Sequence, residues 1–269
     1  MEKKKLEGYM LVSDMDGTLI DSKGAISSEN INAINRFIEL GGMFTIATGR
    51  TVDSVKRYAH SLPLQMPFVI YNGSKIYDFS REKTIYETFL EDRIKDMIVR
   101  LAKLEGSLGI EIYCDEMIFI YKECRFTGRL EQKGYKIYYE VPSYAWERSW
   151  TKILIIGEHY QLDSLEKTFK AMFGDCNLIR SDKNYLEILP EGVSKGTGLE
   201  RLCSLVGVRM SNVIAVGDNM NDYEMITMSG YGFCVANGYK KLLEAAPYTC
   251  PTNDEHAIEY VVSWAQKNL

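Results

Sequence analysis

The chain has 269 residues, 46% hydrophobic and 26% charged, which allows one large domain or two small ones and excludes a disordered or fibrous protein. Lys and Arg number 32 against 37 Asp and Glu, a net charge of −5, so no cationic footprint for a nucleic-acid backbone is present. The apolar run from Tyr9 to Val12 is too short for a signal-peptide core, and no later stretch is long enough to span a bilayer. The expectation is a cytoplasmic protein with neither a nucleic-acid nor a membrane partner, monomeric or a small homo-oligomer.

Short apolar runs that stop abruptly at polar or glycine residues read as buried parallel strands: Tyr9 to Ser13, Met43 to Ala47, Phe68 to Tyr71, Val213 to Val216 and Gly232 to Val235. Between the first two, Ile31, Ile34, Phe37 and Ile38 recur at helical spacing after Ser28 and stop at Gly41-Gly42, which completes a βαβ unit. From about Thr84 to Glu187 the pattern changes. Alternating runs, IEIYCDEMIFIY and NLIRSDKNYLEIL, turn at Asp115-Glu116 and Asp182-Lys183-Asn184, and helical stretches run from Asp92 to Leu104 and from Gln161 to Met172. The expected fold class is therefore α/β: a doubly wound, mainly parallel Rossmann-like core of residues 1–82 and 188–269, with an α+β domain of residues 83–187 inserted into it. Hinges are expected near Arg81-Glu82-Lys83 and Leu189-Pro190-Glu191-Gly192.

Ligands bind open parallel α/β sheets outside the carboxyl ends of the strands, so the residues after each apolar run matter most. After the first comes Asp14-Met15-Asp16-Gly17-Thr18, with carboxylates two apart that point the same way from extended chain. A lone D-x-D is more often a solvated turn. Here a second strand ends in Thr48-Gly49-Arg50, a hydroxyl beside a glycine that lets amides approach an anion. A later strand delivers Asp218 and Asp222, four apart on one face where a helix begins. Carboxylates gathered at one sheet edge repel each other unless a cation is bound, and oxygen ligands with only 3 histidines favour Mg²⁺.

The 6 cysteines form no C-x-x-C pair, which argues against zinc and for buried thiols. Lys195, just after the expected cap Ser194, stands at the end of a helix that disfavours cations. A phosphate held by Mg²⁺, Lys195 and the Thr48 hydroxyl removes that objection and uses every group named. The triphosphate-binding pattern G-x-x-x-x-G-K-[ST] is absent.

In this order the motifs resemble those of the haloacid dehalogenase superfamily of phosphatases, whose first motif is D-x-D-x-T. They are most similar to the Cof-type hydrolases with a large α/β cap (class IIB). The matching residues are Asp14 to Thr18, Thr48-Gly49-Arg50, Asn72-Gly73, Gly192-Val193-Ser194-Lys195-Gly196 and Gly217-Asp218-Asn219-Met220-Asn221-Asp222. The resemblance implies that Asp14 attacks phosphorus and forms an aspartyl phosphate, while Asp16 protonates the leaving oxygen and then activates water. It implies Mg²⁺ on Asp14, the Asp16 carbonyl and Asp218, oriented by Asp222, and phosphoryl contacts from Met15, Thr48, Gly49, Lys195 and Asn221.

The implied substrate is a small phosphorylated metabolite, a sugar phosphate or a phosphorylated cofactor. Candidate substrate contacts are Arg180, Tyr185 and Glu187 on the last inserted hairpin, and Asn72 and Gly73 from the core. Trp146, Trp150, Tyr138 and Tyr139 are expected to pack rather than to stack on a ligand. Two alternatives share the motifs: a phosphomannomutase-like phosphoryl transferase and a phosphosugar-binding regulator without turnover.

Overall fold

The computed structural model describes residues 4–104, 106–132 and 135–269, the Gln132 side chain excepted. It divides into two compact units: the chain up to Glu87 together with Ser194–Leu269, and Thr88–Val193.

The first unit begins with β1 (Met10–Ser13), α1 (Ser28–Glu39), β2 (Met43–Ile46), α2 (Val52–Ala59), β3 (Phe68–Ile70), β4 (Lys75–Asp78) and β5 (Lys83–Glu87). α1 is capped by Ser27, whose side chain accepts from the Asn30 N–H, and it buries Ala33, Ile34 and Phe37.

The inserted unit follows: α3 (Arg93–Leu104), β6 (Gly109–Cys114), β7 (Met117–Lys122), α4 (Arg129–Gln132), β8 (Ile137–Tyr138), α5 (Ser143–Glu147), β9 (Lys152–Ile156), α6 (His159–Phe173), β10 (Asn177–Asp182) and β11 (Tyr185–Leu189). Its sheet runs β10-β11-β9-β6-β7-β8, antiparallel except for β7 with β8. Alternation sorts its faces. Ile110, Ile112, Ile153, Ile155, Leu186 and Ile188 form an apolar core with Ile98 of α3 and Leu162 of α6, while Glu111, Tyr113, Lys152 and Glu187 occupy the intervening positions. The β6–β7 turn falls at Asp115-Glu116 as expected, both with positive φ, the geometry of a two-residue hairpin loop. Trp150 is buried in this core and donates from Nε1 to the Ala145 carbonyl at 2.7 Å, and Trp146 packs edge-on against it, so these aromatics serve packing.

The chain then resumes the first unit with α7 (Lys195–Val206), β12 (Val213–Gly217), α8 (Tyr223–Met228), β13 (Tyr231–Val235), α9 (Lys240–Ala245), β14 (Tyr248–Cys250) and α10 (Ala257–Asn268). Its main sheet is parallel in the order β14-β13-β12-β1-β2. The chain leaves β1 toward β2 and later returns on the other side at β12, so the strand order reverses between β1 and β12. That reversal opens a crevice at their carboxyl ends.

Four expectations change. The segment expected as a parallel strand at Phe68 to Tyr71 meets the parallel sheet at the Ala47–Val69 bridge and where the Thr45 hydroxyl donates to the Pro67 carbonyl at 2.7 Å, while β3 itself pairs antiparallel with β4 because the chain reverses at once. Arg81-Glu82-Lys83 is no hinge: Glu82 has a positive φ in the β4–β5 turn, and β5 pairs with β4, so residues 83–87 belong to the first unit. Residues 188–193 belong to the inserted one, where Asn177 Nδ2 donates to the carbonyls of Pro190 and Val193 at 2.7 and 2.6 Å. Cys114, Cys203, Cys234 and Cys250 are buried free thiols, whereas Cys124 and Cys176 are partly exposed. Among the described residues no helix is long and apolar enough to cross a membrane.

Candidate active site

Asp14 leaves the end of β1 with its N–H still donating to the Val216 carbonyl at 2.9 Å, so the ladder with β12 continues to the carboxylate. The buried Met15 then turns the chain tightly, its carbonyl accepting from the N–H groups of Leu19 and Ile20 at 3.1 and 2.8 Å. Across the crevice, Asp218 follows β12 and accepts from the Thr18 hydroxyl at 3.3 Å.

Lys195 opens α7 behind its cap Ser194 and is only 1% exposed. Its Nζ donates to Asp14 Oδ1 at 2.6 Å and to Asp222 Oδ1 at 2.7 Å. Asp222 is fully buried, and its second oxygen accepts from the N–H groups of Asp218 and Asn219 at 3.0 and 3.1 Å. Both oxygens of Asp222 are thus engaged in holding Lys195 and the loop that bears Asp218.

Asp14, Asp218 and Asp222 offer carboxylate oxygens within 4.8 Å of one another, a cluster compatible with a metal ion. Burial, with Asp222 and Asp16 adding repulsion, pushes the Asp14 carboxyl up to about 7 against the pull of Lys195. Burial, with Asp14 and Asp222 beside it, pushes Asp218 up to about 9. Burial works against the Lys195 ammonium, but the two carboxylates outweigh it and hold its pKa above the ordinary lysine value. The grouped donors are carboxylate oxygens, which suit a hard cation.

Asp16 points its carboxylate elsewhere. Its side chain is 62% exposed and takes a bidentate pair from Arg50, with Nε to Oδ2 at 2.7 Å and Nη2 to Oδ1 at 2.6 Å. The guanidinium also donates to the Ser54 hydroxyl and lies 4.7 Å from the Tyr58 ring centre. Sequence reasoning quoted Arg50 only as part of a motif; its place directly after Thr48-Gly49 was the available signal. Thr48 is buried, its Oγ1 accepting from the Arg50 N–H at 3.2 Å. Asn221 donates from Nδ2 to Asn72 Oδ1 at 3.1 Å. Asn72 and Gly73 are both buried.

The inserted hairpin does not keep its three candidates together. Arg180 pairs in register with Leu186, on the apolar face, and its guanidinium binds Asp163 and Glu166 of α6. Tyr185 and Glu187 share the opposite face. The Tyr185 hydroxyl accepts from Arg129 Nε at 2.8 Å, and Glu187 accepts from Lys152 Nζ at 2.9 Å and from the Ser181 hydroxyl at 2.6 Å. Arg129 also grips Glu111, with Nη1 to Oε1 at 2.6 Å and Nη2 to Oε2 at 3.1 Å. Sequence reasoning missed Glu111 and Lys152, which on alternating strands read as an ordinary solvated face, and Arg129, which stands at the start of the short α4.

Fold and site together define a doubly wound α/β protein with an inserted α+β unit and an acidic centre at the carboxyl edge of its parallel sheet. Residues 11–262 match the family model of the haloacid dehalogenase-like hydrolases, and the chain belongs to that family. It is 25% identical over 275 residues to the 5-amino-6-(5-phospho-D-ribitylamino)uracil phosphatase YwtE of Bacillus subtilis (strain 168), covering 93% of this chain and 95% of that protein. A haloacid dehalogenase-like hydrolase from Bacteroides thetaiotaomicron superposes with a TM-score of 0.80 at 26% identity, over 95% of this chain and 98% of that one. The subclass IIB sugar phosphatase BT4131 has the same fold, with a TM-score of 0.82 at 18% identity over 95% and 98% of the two chains.

Proposed function

We propose that the protein is a Mg²⁺-dependent phosphomonoesterase that acts on small phosphorylated metabolites, sugar phosphates or phosphorylated cofactors, through an aspartyl phosphate on Asp14. The observation that carries this reading is the buried Lys195 ammonium bound to both Asp14 and Asp222 beside Asp218. Asp14, the Asp16 carbonyl and Asp218 would hold Mg²⁺, which supplies charge neutralisation for the transferring phosphoryl group.

Asp14 attacks phosphorus as the bond to the leaving oxygen breaks, and Asp16 gives that oxygen a proton. Asp16 then takes a proton from the water that cleaves the acyl phosphate. For this, the Asp16 carboxylate must leave its pair with Arg50. Lys195, Thr48, Asn221 and the Met15 and Gly49 amides bind the phosphoryl oxygens, so catalysis rests on positioning and electrostatics. We assign choice of the leaving group to the inserted unit, with Tyr185 and Glu187, which share one face of β11, as its candidate contacts.

The test is inorganic phosphate release from sugar phosphates, pyridoxal phosphate, flavin mononucleotide, nucleoside monophosphates and the phosphoribityl compound for which the Bacillus relative is named. Turnover is expected with Mg²⁺ and not after chelation. Phosphate release that survives chelation contradicts the metal assignment, and transfer to an added sugar in place of hydrolysis favours the transferase.

The raised carboxyls carry a stability consequence whose sign is opposite to the usual one for aspartates. Unfolded, Asp14 and Asp218 titrate near about 3.9, whereas folded they titrate at about 7 and about 9. The folded state therefore binds more protons across that window, and metal-free stability falls as pH rises through it. Thermal melts without metal should show a lower midpoint at pH 8.5 than at pH 5.5, and Mg²⁺ should raise the midpoint more at the higher pH. A Mg²⁺ effect independent of pH contradicts the cluster as the metal site.

A further inference from the structure

The turn between β3 and β4 is strained where simple hairpin chemistry does not require it. Tyr71, Asn72 and Gly73 have φ of 52°, 53° and 104°, so two consecutive residues other than glycine sit in the left-handed region. A buried tyrosine there is costly, and such a conformation persists only where the surroundings over-determine it.

The surroundings are three segments that carry the proposed phosphoryl contacts. The Tyr71 N–H donates to the Arg50 carbonyl at 3.1 Å and the Asn72 N–H to the Thr48 carbonyl at 2.9 Å, so the turn clasps the Thr48-Gly49-Arg50 loop from both sides. The Asn72 side chain, fully buried, accepts from Asn221 Nδ2 at 3.1 Å and packs on Gly49, where an added Cβ would lie 2.9 Å from Nδ2. Gly73 meets α7 at Gly198, where an added Cβ would lie 2.7 Å from the Gly73 Cα. That helix begins with Lys195.

We infer that Asn72 is a positioning residue, buried beneath the phosphate-binding groups, whose amide aims the Asn221 side chain and fixes Gly49 against it. It does not contact the leaving group. This replaces the substrate-contact role expected for Asn72 and Gly73, and it rests on the reading of Asn221 and Gly49 as phosphoryl ligands. The left-handed φ is what turns the Asn72 amide back toward the two segments, which explains why the strain is retained.

The experiment uses Asn72→Gly, which keeps the left-handed conformation available and removes only the amide, together with Asn221→Ala and the double variant. Steady-state kinetics on the best ester and competitive inhibition by inorganic phosphate are measured, with thermal midpoints alongside. Asn72→Gly is expected to weaken phosphate inhibition and kcat/KM by roughly tenfold, because the Asn221 amide it aims no longer meets the charged phosphoryl group. In the Asn221→Ala background the same substitution should change both by clearly less than in the wild-type background, with only its hold on Gly49 left to lose, since coupled residues are not additive.

Losses that multiply independently in the double variant, or an Asn72→Gly enzyme that behaves as wild type, overturn the inference. Should Asn72→Gly be too unstable to assay, Gly49→Ala presses on the same amide from the other side and is expected to weaken phosphate inhibition similarly; unchanged inhibition overturns the inference. A wild-type enzyme that hydrolyses no ester overturns the phosphatase reading instead, so the two failures are distinguishable.

Discussion

Asp14→Asn is expected to lose on the order of 10⁴-fold or more in kcat, the scale seen when a nucleophile is removed, while the protein stays folded. Asparagine keeps an oxygen for Lys195 Nζ, which sits 2.6 Å from Asp14 Oδ1, so the local packing survives. The substitution also removes a carboxylate whose ionisation is opposed by burial and by Asp222 and Asp16. Metal-free Asp14→Asn should therefore melt at the same temperature as wild type or higher at pH 8, although it is inactive. Calorimetry beside the phosphate-release assay checks this. An inactive variant that is also strongly destabilised points to a structural role for Asp14 and against the nucleophile.

Lys195→Met reverses that pattern, losing stability as well as activity. The ammonium is the shared partner of Asp14 and Asp222, at 1% exposure against 6% and 0% for the two carboxylates. Removing one member of such a buried set leaves charge uncompensated and costs about 3–5 kcal/mol. The loss should depend on pH. Lys195 is what pulls the Asp14 and Asp218 carboxyls down, so without it both titrate higher still and remain protonated over more of the acid range. The destabilisation is then small at pH 5.5 and large at pH 8, and Mg²⁺ recovers part of it at pH 8 only. Denaturant melts at the two pH values, with and without Mg²⁺, measure this directly. Equal destabilisation at both means that Lys195 contributes packing, not charge.

The core of the site was legible because its residues follow strand ends, and strand ends in a parallel sheet converge whatever the intervening chain does. Asp14 after β1 and Asp218 after β12 are neighbours in space because those strands pair in register, Ser13 opposite Val216. Lys195 was read against its local preference, since a helix N-terminus disfavours a cation, and its partners Asp14 and Asp222 resolve that conflict. Arg50 was not legible as the partner of Asp16, because a bidentate pair between two loops depends on side-chain direction and no period records it.

On the inserted hairpin, Arg180 and Glu187 looked equivalent by position. The pairing register decides between them: Arg180 lies opposite Leu186 and Glu187 opposite Ile179, which sends the two side chains to opposite faces. The unit boundaries shifted too: β5 is the second arm of a hairpin with β4, and the segment after β11 is held from a distance in sequence by Asn177.

In the proposed mechanism Asp14 carries the phosphoryl group between ester and water. The most direct measurement is rapid acid quench of the Mg²⁺-loaded enzyme during turnover, followed by digestion and mass spectrometry of the peptide that contains Asp14. An Asp16→Asn enzyme, slow to hydrolyse the intermediate, is quenched in parallel with an activated aryl phosphate as substrate. One added phosphoryl group on Asp14, enriched in Asp16→Asn and absent in Asp14→Asn, is the predicted result. Turnover with no phosphorylated peptide in either enzyme, or the same label found on another residue, contradicts the account.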